Sequence, residues 1–408
     1  MASRTLRLRR NALRGTSVLI LTLLFIEFLD ELVYGAREAA WPLVRDELHL
    51  DYAQIGLLLS VPPIAATLLE MVFGVMADTG YRRKLVLGGG VAFALSVLLT
   101  ALSQNFGVLL ISFCIFYPAS GAFVSLSQAT LMDVDPKRHE QNMARWTFAG
   151  AVGVFVGPLL LGATGGDWRG VYAGFAVLTI VALLIVSRAA IKENGVSEHT
   201  SLLSGMRAAL SDLRRFEVLR WLMLLQFADL LGDVLFGYLA LYMVDVAGAD
   251  IATTGLAVVV LTGVGLVGDL LIIPVLERVR GLTYLRYSAL VEVFLYAAFL
   301  LVPGILPKIV LLGLVGIFNS GWYSVLQAQV YTVMPGRSGS VMTVGNVFGL
   351  VGGALPFAVG AAAQAFGLDV AMWLLLLGPL AVLVGIPRTN IESQMTLPTA
   401  EQLDGHEE

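Results

Sequence analysis

Glu27, Asp30, Glu31 and Tyr34 follow one another at steps of one to three residues in a stretch that is otherwise apolar. Positions 27, 31 and 34 are spaced by three or four, and a helix carries them, with Asp30, on one face. About two hundred residues later Asp229, Asp233 and Phe236 repeat the pattern. A charged side chain at the bilayer centre costs roughly 2.5 to 3.5 kcal/mol on insertion scales, so acids placed there twice call for a function. A carboxyl in such surroundings can trade a proton for a cation. Asp30 has no counterpart in the second set, where Gly232 stands at the equivalent place, and that asymmetry marks it as a candidate for the proton or the cation.

Other chemistries fit less well. The four histidines, His49, His139, His199 and His406, all fall in expected loops or tails, so an imidazole relay, a His-rich transition-metal site and a histidine base for an intramembrane hydrolase are not expected. By the span assignment no Lys or Arg lies near the midplane, with Arg37 placed nearer the outer end of the first span. The acids are therefore read as unpaired, their counter-charge arriving from outside the protein. Organic phosphates and nitrate are disfavoured for the same reason. Oxygen-only ligands also suit a hard divalent cation, with Glu27, Asp30, Glu31, Asp229 and Asp233 as the alternative metal set.

The elements that must position these residues are membrane helices. The chain is 57% hydrophobic and 14% charged, with a mean hydropathy of +0.82, against about 45 to 50% apolar in soluble domains. About twelve spans of roughly 20 residues fit the apolar windows. The expected class is an all-α integral membrane protein with two six-helix bundles, 17–189 and 219–387. A linker, 190–218, joins them, and polar tails, 1–16 and 388–408, flank them. The first apolar stretch is too long and too acidic for a signal peptide core. With both termini on the cytoplasmic side, all but four of the 26 basic residues fall there, the exceptions being Arg37, Arg45, Arg169 and Lys308. The positive-inside rule selects that orientation, in a plasma membrane. The lone cysteine, Cys114, lies in an apolar run and excludes a disulfide framework.

The halves repeat one another. Glu70 with Asp269, Asp78 with Glu277, Gln128 with Gln327 and Pro136 with Pro335 all hold a single offset of 199 residues.

After the second span stands Gly74-Val-Met-Ala-Asp78-Thr-Gly80-Tyr-Arg82-Arg83-Lys84. This resembles the signature loop of the major facilitator superfamily, and Asp167-Trp168-Arg169, the Pro136 and Pro335 loops and the duplicated order add to the likeness. The second copy, Glu277-Arg278-Val-Arg280-Gly281, is degenerate. The resemblance implies a secondary carrier whose halves are parallel repeats, with substrate bound near the midplane between them. It also implies that Gly74, Asp78 and Arg82 belong to a latch that closes the cytoplasmic side. In the fifth span, Gly150-x-x-Gly153-x-x-x-Gly157-Pro158-x-x-x-Gly162 is similar to the antiporter motif of that superfamily, without its closing glycine pair. The face lacks side-chain bulk, and Pro158 removes one backbone donor, so the helix can pack closely and bend. Tyr117 stands ahead of Gly121 where standard drug antiporters carry an arginine.

Glu70 and Asp269 are assigned to gating or coupling with Gly74, Asp78, Arg82, Gly157 and Pro158. Gln128, Gln327, Trp322, Tyr323, Asn319 and Asn346 join the acidic stripe and Tyr34 as candidate cavity residues, since aromatic rings beside carboxylates suit an organic cation. No GxxxxGK[ST] loop is present, so an ion gradient rather than ATP is the expected energy source. The expected function is proton-coupled antiport, with efflux of a small cationic or amphiphilic compound by alternating access. The expected partners are protons, that solute and the lipid bilayer. No enzyme activity, cofactor or nucleic acid is expected, and a monomer is.

Overall fold

A computed structural model describes residues 2–76, 81–134, 139–188, 215–276, 278–333, 345 and 347–387. In hydrocarbon every backbone N–H and C=O must find its partner within the protein, and helices do this segment by segment. The described residues accordingly form helices and no strands. Among the described residues, eleven stretches are long and apolar enough to cross a membrane. The first helix, Ala2–Leu48, is long enough too but carries Glu27, Asp30, Glu31, Arg37 and Glu38, more charge than the other spans hold in a window of membrane length. It runs well past the expected 17–39 span, through Pro42. With it the expected twelve-span order is complete.

We number the spans one to twelve in chain order. Spans one to three are Ala2–Leu48, Tyr52–Met76 and Arg82–Leu102, and spans five and six are His139–Ala163 and Trp168–Ser187. Spans eight and nine are Ile251–Leu276 and Gly281–Leu301, span eleven ends with Leu355–Phe366, and span twelve closes with Leu377–Gly385.

Spans four, seven and ten are broken. Span four is Phe106–Ser120, a wide π turn at Gly121–Ser125, then Leu126–Val134. Span seven is Phe216–Ala228, a short 3₁₀ turn at Asp229–Leu231, then Asp233–Asp245. Span ten is Ile305–Asn319 and Trp322–Val333, separated by Gly321 with φ +74°, a left-handed conformation that glycine adopts without strain.

We call the side where span six ends and span seven begins the linker face, and the other the far face. The far-face turns are short and capped by their own side chains. Asn105 accepts from Val108 N, Asp167 from Gly170 N and Asp250 from Thr253 N, while Asp51 and Gln54 form a reciprocal capping box.

The described contacts between the halves lie toward this face. Arg45 pairs with Asp245, whose Oδ2 also accepts from the Tyr52 hydroxyl at 2.6 Å. Phe357 N donates to Ser60 Oγ at 2.9 Å, and within the second half Tyr238 donates to the Pro356 carbonyl at 2.7 Å, beside Gly56 of span two. Gly56 of span two meets Phe357, and Gly360 of span eleven meets Tyr52, so closely that neither has room for a methyl group.

Candidate functional site

Three of the expected cavity acids lie on span one, Glu27 against Gly150 of span five and Asp30 against Ser120 of span four. Glu27 is 8% exposed, and Asp30 and Glu31 are half-buried. Asp229 and Asp233, on the break of span seven, are exposed. The two sets meet at Tyr34, whose hydroxyl donates to Asp233 Oδ1 at 3.3 Å and whose ring packs on Phe236 with centroids 5.4 Å apart. The break places both aspartates, because Asp229 begins the 3₁₀ turn and Asp233 begins the helix after it.

Span five fixes the face of span one. A methyl on Gly150 would come 2.7 Å from Glu27 Oε1 and 3.2 Å from Glu31 Cγ. One on Gly153 would strike the Phe28 carbonyl oxygen, and one on Gly157 the Ala36 nitrogen. Gly35 answers from span one, where a methyl would strike the Val154 carbonyl. Gly150, Gly153 and Gly157 of the antiporter-like motif are thus the surface on which the acidic helix lies, the last two backbone to backbone, whereas Gly162 meets nothing within 4 Å. Pro158 is buried, and its carbonyl faces Gly255 of span eight more loosely, 3.7 Å from where a methyl would sit.

Asp30 has a partner that sequence reasoning missed. Ser120 Oγ donates to its carboxylate, 2.9 and 3.0 Å from the two oxygens. Ser120 is the last residue before the π turn of span four. The next residue, Gly121, lies against Glu70, whose Oε1 would be 2.5 Å from a methyl placed there. One step of backbone therefore separates the contacts of Asp30 and Glu70. The second half repeats the device: Asp269 Oδ1 accepts from Gly321 N at 3.1 Å, at the break of span ten. In each half the acid near the end of the second repeat helix meets the interruption of the fourth.

The expectation of no basic group among the acids needs correction. Arg37 is 5% exposed and stands inside the bundle. Its Nε and Nη2 donate to Glu38 Oε1 at 2.8 and 2.5 Å, its Nη1 donates to Tyr117 at 2.6 Å, and its guanidinium carbon lies 4.7 Å from the Tyr34 ring centre. Glu38 Oε2 accepts from Trp41 Nε1 at 2.8 Å. A charge and its counter-charge at adjacent positions in an apolar run were the available signal. Lys308, at the far-face start of span ten, is buried and donates to the Tyr242 hydroxyl and to the Phe299 and Leu300 carbonyls at the end of span nine.

Trp322 also leaves the expected cavity set. It is 2% exposed, packed in the core of the second half, and its indole N–H donates to Ser288 at 2.9 Å. Tyr323 beside it is 67% exposed, and Gln128 and Gln327 are half-buried in the second segments of spans four and ten. Asn319 is the last residue of the first segment of span ten. Gly74 lies in span two, Arg82 opens span three and is 6% exposed, and Asp78 and Asn346 lie outside the described residues. Among the described residues no three His, Cys, Asp or Glu side chains gather closely enough to hold a metal ion, so the alternative metal set is not drawn together.

Asp167-Trp168-Arg169 has a structural role. Trp168 Nε1 and Arg169 Nε both donate to Glu47 at 2.7 Å, and Arg169 Nη1 donates to the Ala101 carbonyl at 2.6 Å, which ties spans one, three and six together at the far face. The hydrogen bond from Arg169, helped by Trp168, holds the Glu47 carboxyl below its ordinary value.

Comparison with known proteins agrees with this architecture. The fosmidomycin resistance protein of Escherichia coli (strain K12) is 26% identical over 162 residues, which is 39% of this chain and 40% of the length of that relative. The fold is similar to that of a bacterial homolog of the human lysosomal transporter Spinster in an inward-facing, unoccupied conformation. The TM-score is 0.70 at 16% identity, over 91% of this chain and 95% of the other. It is also similar to that of the nucleoside transporter NupG, with a TM-score of 0.71 at 16% identity over 90% and 97% of the two chains. Residues 23–356 match the family model of the Major Facilitator Superfamily, and the chain, a multi-pass membrane transporter and not an enzyme, belongs to that family.

Proposed function

We propose that this transporter is a proton-coupled antiporter that exports a small cationic or amphiphilic compound. The observation that carries the reading is the hydrogen bond from Tyr34, which shares span one with Glu27, Asp30 and Glu31, to Asp233, which stands beside Asp229 on span seven. Arg37, the cation behind Tyr34, is already engaged by Glu38. The remaining carboxyls can then be neutralised by protons or by a cationic solute, and competition between the two is antiport. The resistance protein that aligns over part of the chain supports export.

With the basic side of the chain in the cytoplasm, the contacts of Arg45, Tyr52 and Ser60 with the second half close the outer side, and the cavity faces inward. Pro158 then belongs to the seam with span eight while Gly157 holds span one, and Glu70 and Asp269, seated on the breaks of spans four and ten, couple opening of that side to the state of the cavity acids. Residues 17–189 and 219–387 act as the two moving bundles, with 190–218 as the tether and the tails 1–16 and 388–408 in the cytoplasm.

The test begins with a melting-temperature screen of purified protein against organic cations, drugs and divalent metals across pH, since a ligand of the folded state raises stability. The compound that raises it most is then followed in proteoliposomes under an imposed pH gradient. Wild type is expected to move it against the gradient, and Glu31→Gln and Asp233→Asn, still folded, to lose that response. Normal transport by both variants overturns the reading, as does a screen in which only metals bind.

A further inference from the structure

One carboxyl unrelated to the cavity is sealed inside the second half. Glu292, midway along span nine, is 0% exposed, and neither carboxyl oxygen has a hydrogen-bond partner among the described residues. Its helix face is defined by the residues one and two turns before it. Ser288 Oγ accepts from Trp322 Nε1 at 2.9 Å, and the Tyr284 hydroxyl donates to the Ser320 carbonyl at 2.8 Å. Tyr284, Ser288 and Glu292 recur every four residues, so the face looks onto the break of span ten.

The two helices run antiparallel. Four residues on from Ser288 is Glu292, and three residues back from Trp322 is Asn319, which brings the pair to about the same depth at ~1.5 Å of rise per residue. Asn319 Nδ2 is likewise buried without a partner among the described residues. A buried acceptor and a buried donor, both unsatisfied, therefore stand on facing helices beside a chain interruption. Native proteins seldom leave such groups unpaired, and an ionised carboxylate left so is costlier still.

No charge in the surroundings compensates. Span ten brings no titratable side chain between Ile309 and Trp322, and span twelve brings none between Met372 and Gly385. On span nine itself, Tyr296 donates to the Met372 carbonyl and Arg286 to the Pro387 carbonyl. Lys308 is committed to Tyr242 and the end of span nine, and Asp269 reaches the same break from span eight, where Gly321 N holds it. The position 199 residues earlier is Phe93, an apolar core residue, so the feature exists in one half only.

We propose that Glu292 is a second proton-binding site, enclosed behind span ten, and that loss of its proton is coupled to a movement of the Asn319–Gly321 break that brings the Asn319 amide onto the carboxylate. In the state described here the carboxyl keeps its proton; in the other it has released it to water and accepts from Asn319. The proposal rests on the reading of this chain as proton-coupled, and it places part of that coupling away from the substrate.

Infrared difference spectroscopy of the purified protein in lipid, in H2O and D2O, tests it together with pH-driven transport in vesicles. Wild type is expected to show the C=O stretch of a protonated, slowly exchanging carboxylic acid. Glu292→Gln is expected to lose that band and about tenfold of the pH response of transport. Glu292→Leu, which needs no polar partner and so retains the fold if the glutamine variant does not, is expected to behave alike. Asn319→Leu should keep the band and lose the pH response. A wild type that moves no protons sinks this site together with the antiport reading. A wild type that moves protons, with band and pH profile unchanged in both Glu292 variants, sinks this site alone.

Discussion

The hydroxyl of Tyr34 lies 3.3 Å from Oδ1 of Asp233 and joins the acidic faces of the two halves. On its other side the same ring rests on the Arg37 guanidinium. Tyr34→Phe keeps the ring and removes only the donor, and one hydrogen bond is worth about 0.5 to 1.5 kcal/mol. The expected result is a shift of up to roughly tenfold toward opening of the far face. A cysteine at Ser60, which is 2% exposed while that face is closed, reports it in a Cys114→Ser background. Labelling by an impermeant maleimide should be faster with Tyr34→Phe, and faster still with Asp245→Asn, which breaks the pairing with Arg45.

Four glycines of span five separate packing from openness. Gly153→Ala and Gly157→Ala force a methyl into the backbone of span one, whereas Gly162 has nothing within 4 Å of the corresponding point. The first two are expected to lower stability by about 1 to 3 kcal/mol each, the usual range for overpacking. Gly162→Ala should be neutral or slightly stabilising in melting temperature, and Gly150→Ala should also disturb transport because its methyl meets Glu27.

Ser120→Ala leaves Asp30 without its hydroxyl donor. Leaving a buried acceptor unsatisfied costs about 1 to 3 kcal/mol, so the expected outcome is a reduced melting temperature and a changed pH profile of transport. Ser120→Thr, which keeps the hydroxyl, should restore the profile if the loss acts through Asp30.

The Glu47–Arg169 pair gives a pH dependence outside the membrane. Because the Arg169 hydrogen bond depresses the Glu47 carboxyl, its stabilisation is fully present above the unfolded value of about 4.3 and is lost as pH falls through the lower folded value. Glu47 is 49% exposed on its side chain, so solvent screening limits the effect to about 0.2 to 1 kcal/mol. Wild type should melt above Glu47→Gln at neutral pH, and the two curves should converge in acid.

Much of the frame was legible from residue spacing. Acids at helical intervals pointed to span one and span seven, and the 199-residue offset pointed to Glu70 and Asp269 as equivalents; each lies at the break of the span it meets, against Gly121 and Gly321. The breaks were not legible: a π turn over Gly121–Ser125 has the same apolar composition as an unbroken helix, and Ser120 acquires its meaning only from it. Arg37 was misplaced because adjacent residues on a helix usually diverge, whereas its long side chain folds back onto Glu38. Trp322 was read as a cavity aromatic, but its indole N–H needed a buried partner and found Ser288. Glu292 went unnoticed for want of a repeat partner to draw attention to it.

The backbone interlock of spans one and five has a consequence for selectivity. Glu27 and Glu31 are mounted on a surface with no room to rotate, so they act as the fixed jaw of a vice. Asp229 opens a 3₁₀ turn that ends at Gly232 and Asp233 begins the helix after it, so the two flank a joint and form the adjustable jaw. On the proposed function, solutes of different size are accommodated by span seven, and substitutions at Leu230, Leu231 or Gly232 are expected to change which solutes shift the melting temperature while Gly153 and Gly157 keep the opposite wall in place.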